Sequence, residues 1–415
     1  MIFIHLYFKH LANSLVVIAF LFQSFHIFAQ DKEFASRIIS DLTAKDFHGR
    51  GYTHKGINKA EKYIVTTLKN IGIKNIVVQT FKMPVSVIKS AKVLFDTTFV
   101  KWGDNAIVYP SSASLKGMFE IEKINKSNLA DILTKDLTNK FVLFDTSLTS
   151  QSKYSSEIHK LLQNNSVKAK GFILCKKTKL MQVQANKKNN WVIIEVDTSF
   201  INARNITINL KTKYIKQYKT SNIIATIKGK SDSIIAFSAH YDHLGELENI
   251  YFPGANDNAS GVSMVIDIGR ELANEQNSKT IALLFFTGEE VGLIGSNYFV
   301  GKPTFDLKKI KYLFNLDVIG SGEKGITIVN GKIYQSLADE LSKINIDKNL
   351  NLDIQIREAS NNSDHAPFYM NGIPSVFIYA KGKTGPYHHP DDNLLNLSLA
   401  KYNDIVKLLL TYTKQ

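Results

Sequence analysis

Residues 234–243 read I-I-A-F-S-A-H-Y-D-H, and residues 281–290 read I-A-L-L-F-F-T-G-E-E. Each stretch begins as an unbroken apolar run and ends abruptly in polar and charged side chains. Two more runs share the form: Tyr312–Leu316 leads into Asp317, and Val376–Tyr379 is followed by Tyr387-His388-His389-Pro390. Apolar runs without alternation suit strands buried on both faces of a parallel or mixed sheet. Helical spacing lies between them, as in Gly261–Leu272, where Val262, Val265, Ile266, Ile268 and Leu272 share one face. Strand alternating with helix predicts an α/β fold, a mixed and mostly parallel sheet sandwiched by helices. In such sheets the functional crevice lies outside the carboxyl ends of the strands. Four strands would therefore deliver His240, Glu290, Asp317 and His388 to a single rim. A fifth cluster, Gly254-Ala-Asn-Asp257-Asn258-Ala-Ser-Gly261, precedes a helix.

The α/β pattern occupies residues 216–415. Upstream, Ile57, Ala60, Ile64, Leu68 and Ile71 predict a helix stopped by Gly72, and Ile76-Val77-Val78 predicts a strand. Residues 31–87 are read as the first part of the same domain. Residues 88–215 differ in texture. Their short β-rich runs, 140–145, 171–175 and 191–195, with a helical stretch near Ile158–Leu162, predict a smaller, β-rich α/β domain inserted into the larger one. Residues 1–30 carry Lys9 as their one charge outside histidine and an apolar run at Leu15–Phe22 too short to span a bilayer. Phe28-Ala29-Gln30 then meets Asp31-Lys32-Glu33. This pattern predicts a secretory signal, hence export to the periplasm or the extracellular space, with no stable membrane insertion once it is cleaved; an uncleaved N-terminal anchor is the alternative reading.

Composition excludes several classes. The 415 residues carry a net charge of +14, but the lysines are spread along the chain without interleaved aromatics, so no nucleic-acid partner is expected. The single cysteine, Cys175, sits in an apolar run and is read as a buried small hydrophobe. There is no G-x-S-x-G, no reactive thiol and no phosphate-binding loop. What remains is a set of imidazoles and carboxylates, the ligand types of zinc. His240, Asp257, Glu290, Asp317 and His388 make five, enough for two metals if one carboxylate bridges. Asp257 is the natural bridge, because its cluster lies between the others in sequence and enters a helix. Two Zn²⁺ bring four positive charges; Asp257, Glu290 and Asp317 cancel three, and a hydroxide would cancel the fourth.

The segments S-A-H-Y-D-H-L-G, G-A-N-D-N-A-S-G, T-G-E-E-V-G-L-I-G-S, N-L-D-V-I-G and Y-H-H-P-D-D, spread over residues 221–397, resemble metallopeptidase family 28, the co-catalytic zinc aminopeptidases related to aminopeptidase Y and glutamate carboxypeptidase. Gly49-Arg50 and the helix after Gly56 look like that family's opening segment, and residues 88–215 look similar to its protease-associated insertion. The resemblance implies two zinc ions per chain, one held by His240, Asp257 and Asp317 and the other by Asp257, Glu290 and His388. It further implies Glu289 as general base, Asp242 as the acceptor for the second ring nitrogen of His240, and a cis peptide at Asp257–Asn258. Tyr387 is a candidate donor to the tetrahedral oxyanion. The implied substrates are peptides with a free N-terminus. The family often has two acidic residues where this chain has Asn256-Asp257, and Thr where it has His389; neither departure removes a ligand. A carboxypeptidase, a glutaminyl cyclase or a non-catalytic binding protein on the same fold are the alternatives. The full ligand set argues against the cyclase and the binding protein. His243 is left outside the site, and Ser363-Asp364-His365 is read either as lining a specificity pocket or as a capped helix start.

Overall fold

The computed structural model describes residues 32–132, 134–151 and 154–415. The expected signal at 1–30 lies outside the described residues. Among the described residues, no helix is long and apolar enough to cross a membrane.

The four apolar runs are strands, in keeping with their lack of alternation. Ser231–His240 lies at the centre, parallel to Lys279–Phe286 on one side and to Ile310–Leu316 on the other, and Ser375–Ala380 continues the parallel run beyond Ile310–Leu316. Ile326–Val329 joins antiparallel to Ser375–Ala380 and carries Ile354–Ile356 at the edge. The side chains divide with period two. Ile235, Phe237, Leu283, Phe285, Phe314 and Leu316 face the helices Gly56–Asn70, Ser260–Leu272, Gln335–Asp347 and Tyr402–Thr413. Ile234, Ala236, Ala282, Leu284 and Phe286 face the other side, where Phe299 and Phe368 arrive on Ile294–Gly301 and His365–Met370. The sheet is therefore helix-covered on both faces, the sandwich that the sequence predicts.

Two long strands join this sheet to the insertion. Asn75–Phe95 pairs antiparallel with Asn205–Ile227 over nearly their whole length. The far half of Asn205–Ile227 pairs with Lys279–Phe286, and its near half with Leu115–Ile124, which leads through Lys140–Phe144, Gly171–Cys175 and Val192–Val196 to Ala106–Val108. The expected boundaries at 87/88 and 215/216 fall inside these strands, so the two sheets are continuous. The insertion has its own cores. Phe141, Leu143, Ile173, Val192 and Ile194 pack on one face, and Val142, Phe144 and Phe172 on the other, beneath the helix Ser155–Asn164. Cys175 is fully buried there, and burial pushes its thiol up to about 11. It is a core residue, as its apolar surroundings imply.

Phe237 is fully buried, stacked on Phe314 at 5.5 Å, three residues before His240. Phe237→Ala is expected to destabilise the fold by about 3–5 kcal/mol, seen as a lower thermal unfolding midpoint by calorimetry.

Candidate metal centre

The carboxyl ends of the central strands converge as the topology demands. His240 is the last residue of its strand, Asp317 follows Ile310–Leu316 directly, and Glu289-Glu290 follow the turn after Lys279–Phe286. His388 comes from the loop after Ser375–Ala380. Asp257 sits in the loop that enters Ser260–Leu272 and is joined to Asn258 by a cis peptide.

Asp257 holds the middle of the arrangement. Its Oδ1 lies 3.1 Å from His240 Nε2, which is also 3.3 Å from Asp317 Oδ1. Its Oδ2 lies 3.0 Å from His388 Nε2, which is also 3.1 Å from Glu290 Oε2. The two oxygens of one carboxylate thus face two different imidazole–carboxylate pairs. An imidazole nitrogen carries at most one proton, so neither Nε2 can serve both oxygens it faces. Asp257 Oδ2, Asp317 Oδ1 and His388 Nε2 are buried without a hydrogen-bond partner. Buried polar atoms left in this state point to a missing partner. Bound metal answers both facts, and imidazole with carboxylate is a donor set suited to zinc.

The charge balance agrees. Burial opposes ionisation of Asp257, but the imidazoles of His240 and His388 outweigh it and hold its carboxyl well below the usual range. Glu290, also opposed by burial, is drawn down to about 2 by His388 and His243. Glu289 behaves differently. Burial and the negative charges of Asp317, Asp364 and Glu290 outweigh the pull of His240 and raise it well above an ordinary glutamate. A basic carboxylate beside strongly ionised ones is how a proton acceptor is set apart from ligands.

The supporting residues explain why the site keeps its shape. The Asp242 carboxylate accepts from Tyr52 Oη at 2.6 Å and from the backbone N–H groups of Glu289 and Glu290 at 3.3 and 3.4 Å. Nδ1 of His240 is 3.1 Å from the Asp242 backbone carbonyl and 3.7 Å from its carboxylate. The carbonyl therefore sets the ring's tautomer first, and the carboxylate tethers the Glu289-Glu290 turn. Ser363 donates to Asp317 at 2.7 Å. Asp364 precedes His365–Met370 without capping it, and accepts instead from Ser296. Tyr387 stacks on His388 with ring centroids 3.8 Å apart and is half exposed at the mouth. His389 lies outside the cluster, its Nδ1 accepting the Asp391 N–H at 3.1 Å.

Three residues escaped the sequence analysis as parts of the site. His243, fully buried, lies 2.7 Å from Glu290 Oε1 and so fixes the oxygen that His388 does not face. Asp392 accepts the backbone N–H groups of Asn256 and Asp257 at 2.8 and 3.1 Å. Burial raises it to about 6. Arg50 is fully buried and spends all five N–H donors on carbonyls: Tyr241, Leu42, Pro253, Gly254 and Asp257, at 2.6–3.2 Å. Burial lowers it to about 10, so it remains a cation at neutral pH beneath the carboxylates. The signal was present, since His243, Asp392 and Arg50 all lie in the quoted segments. Its meaning depends on contacts across about 200 positions.

The insertion also reaches the centre. Gln182 N–H donates to the His388 carbonyl at 3.1 Å, Gln184 Nε2 to the Leu244 carbonyl at 2.6 Å, and Asn186 Nδ2 to the Val291 carbonyl at 2.7 Å. One segment of the smaller domain thus braces the loops that carry His388, Glu290 and His243.

Residues 222–413 match the profile of peptidase family M28. These residues form a peptidase family M28 domain. A relative named probable leucine aminopeptidase, from Trichophyton verrucosum, is 31% identical over 239 residues, covering 54% of this chain and 62% of its own length. Aminopeptidase YwaD from Bacillus subtilis is 32% identical over 206 residues, covering 46% and 43% respectively. The matched region thus spans about half the length of these curated relatives. The crystal structure of BSAP, a zinc aminopeptidase from Bacillus subtilis, superposes with a TM-score of 0.71 over 92% of this chain and 94% of that one, at 21% identity. The M28 domain and the insertion together therefore share its fold.

Lysine has three donors and no planar fork, so Arg50→Lys in the M28 domain would leave at least two buried carbonyls unpaired. It is expected to destabilise the protein by at least about 2 kcal/mol, measured by urea unfolding.

Proposed function

We propose that this chain is an exported, two-zinc aminopeptidase that removes the first residue of peptides with a free N-terminus. The observation that carries the proposal is the division of the Asp257 carboxylate between two imidazole–carboxylate pairs. On that geometry His240, Asp257 and Asp317 would hold one zinc, and Asp257, Glu290 and His388 the other. When bound, such a pair polarises a carbonyl and lowers the pKa of a water towards neutrality.

The chain's own groups supply the rest. Glu289 accepts the proton of the attacking water and returns it to the leaving amine, a shuttle suited to a carboxylate whose proton affinity is raised. Asp242 keeps Glu289 in place through its backbone N–H, and Tyr52 keeps Asp242 in place. The Tyr387 hydroxyl, at the half-open mouth beside His388, donates to the oxyanion of the tetrahedral intermediate. Burial of the carboxylates and imidazoles strengthens the interactions among them. The names of the M28 relatives support removal of N-terminal residues, and the composition of residues 1–30 supports export.

Glu289→Gln is expected to keep both zinc ions while activity on an aminoacyl-coumarin falls about 10²–10⁴-fold; full activity would remove Glu289 as the base. In the same assay an N-acetylated peptide is expected to go uncleaved, and equal turnover would point to a different peptidase. Asp257→Asn is expected to lower zinc content at both positions, and wild-type zinc in that variant by elemental analysis would rule out the bridge.

A further inference from the structure

A second cluster of metal-binding side chains lies outside this centre. His48 and His54 belong to the segment that leads into the helix Gly56–Asn70, and Glu246 opens the small hairpin Glu246–Leu247/Ile250–Tyr251. His48 Nδ1 lies 2.7 Å from Glu246 Oε1, and His54 Nδ1 lies 2.7 Å from Glu246 Oε2. The ring centroids are 5.0 Å apart. One ligand atom from each of the three residues can be chosen so that all lie within 4.8 Å of one another.

We infer that His48, His54 and Glu246 bind a divalent transition ion, zinc in the first instance, at a third site separate from the Asp257 centre. Two imidazoles and one carboxylate make a three-ligand set that leaves a fourth position for water. Imidazole nitrogens favour zinc, copper or nickel over calcium or magnesium, which prefer all-oxygen sites. The carboxylate already collects two ring nitrogens, so the donors are gathered before any ion arrives. Zinc–ligand bonds of about 2.0–2.2 Å in a tetrahedron separate ligand atoms by roughly 3.3 Å. Admitting the ion therefore asks each ring to move about 0.6 Å off the oxygen it now faces, and the three ligand atoms, now within 4.8 Å of one another, to close on a common centre. His54 can do so, since its side chain is 67% exposed, whereas that of Glu246 is 16% exposed and serves as the fixed arm.

The position gives the site a purpose. His48, Gly49 and Arg50 all have left-handed backbone angles, φ 48°, 56° and 48°. A side chain at Gly49 would meet the carbonyl oxygens of Gly245 and Phe252. This turn carries Arg50 beneath Asp257, and its Gly49 carbonyl accepts the Gly245 N–H at 3.0 Å. An ion shared by His48, His54 and Glu246 would clamp the outer end of the turn to the residues just beyond the strand that ends at His240. The third ion is structural, since none of its three ligands is among the residues of the Asp257 centre.

The test is a zinc count on the full chain. Wild type, His54→Ala and Glu246→Gln are equilibrated with Zn²⁺ alone, then assayed by elemental analysis and titration calorimetry. His54 is exposed, so its truncation leaves the core intact. Each variant is expected to bind one zinc fewer than wild type, and the weaker phase of the wild-type isotherm is expected to vanish in both. Equal zinc content in wild type and His54→Ala would overturn the inference and leave the two histidines as simple hydrogen-bond donors to Glu246. Asp257→Asn separates this site from the other, because the zinc lost with His54→Ala is expected to survive in it.

Discussion

One carboxylate shared between two imidazole–carboxylate pairs is the constraint on which the rest of this structure depends. Asp257, Glu290 and Asp317 are buried together, with Asp242 and Glu289 close behind. Buried negative charges at this spacing repel strongly and lose hydration. They persist only where positive charge is placed among them. The chain supplies part of it through Arg50, a buried cation held by five backbone carbonyls, and through the imidazoles of His240 and His388 set among the carboxylates. Asp257 faces both imidazoles, and the backbone that presents it is held by Arg50 and by Asp392.

The same constraint explains the layered support around the centre. Three of the clustered groups have a second residue fixing the atoms they do not turn toward Asp257 or one another. His243 holds the free oxygen of Glu290, Ser363 holds that of Asp317, and the Asp242 carbonyl holds Nδ1 of His240. Such outer partners orient ligands and tune their basicity. The insertion belongs to this shell, because Gln182, Gln184 and Asn186 bond the loops that bear His388, His243 and Glu290. Its sheet is continuous with the central one through two long strands, so the segment that braces the site hangs from the same sheet that carries it. A domain that shows no catalytic constellation in its own sequence therefore shapes the site from outside.

The sequence alone determined the α/β architecture and the residues that gather at the rim. Both follow from local rules. Short unbroken apolar runs separated by helical spacing suit strands buried on both faces, and the carboxyl ends of parallel strands share one edge, so a His, Glu or Asp after each run is placed before any contact is known. The predicted helices at Gly56–Asn70 and Ser260–Leu272 were legible for the same reason, through their spacing. What only the tertiary structure decided is how those residues meet. The split of Asp257 between His240 and His388, the tether from Asp242 to Glu289 and Glu290, the buried cage of Arg50 and the brace from Gln182 join positions tens to hundreds of residues apart. No periodicity encodes such contacts, because they arise from the packing of whole elements against one another, and a side chain's partner across that distance is set by the fold.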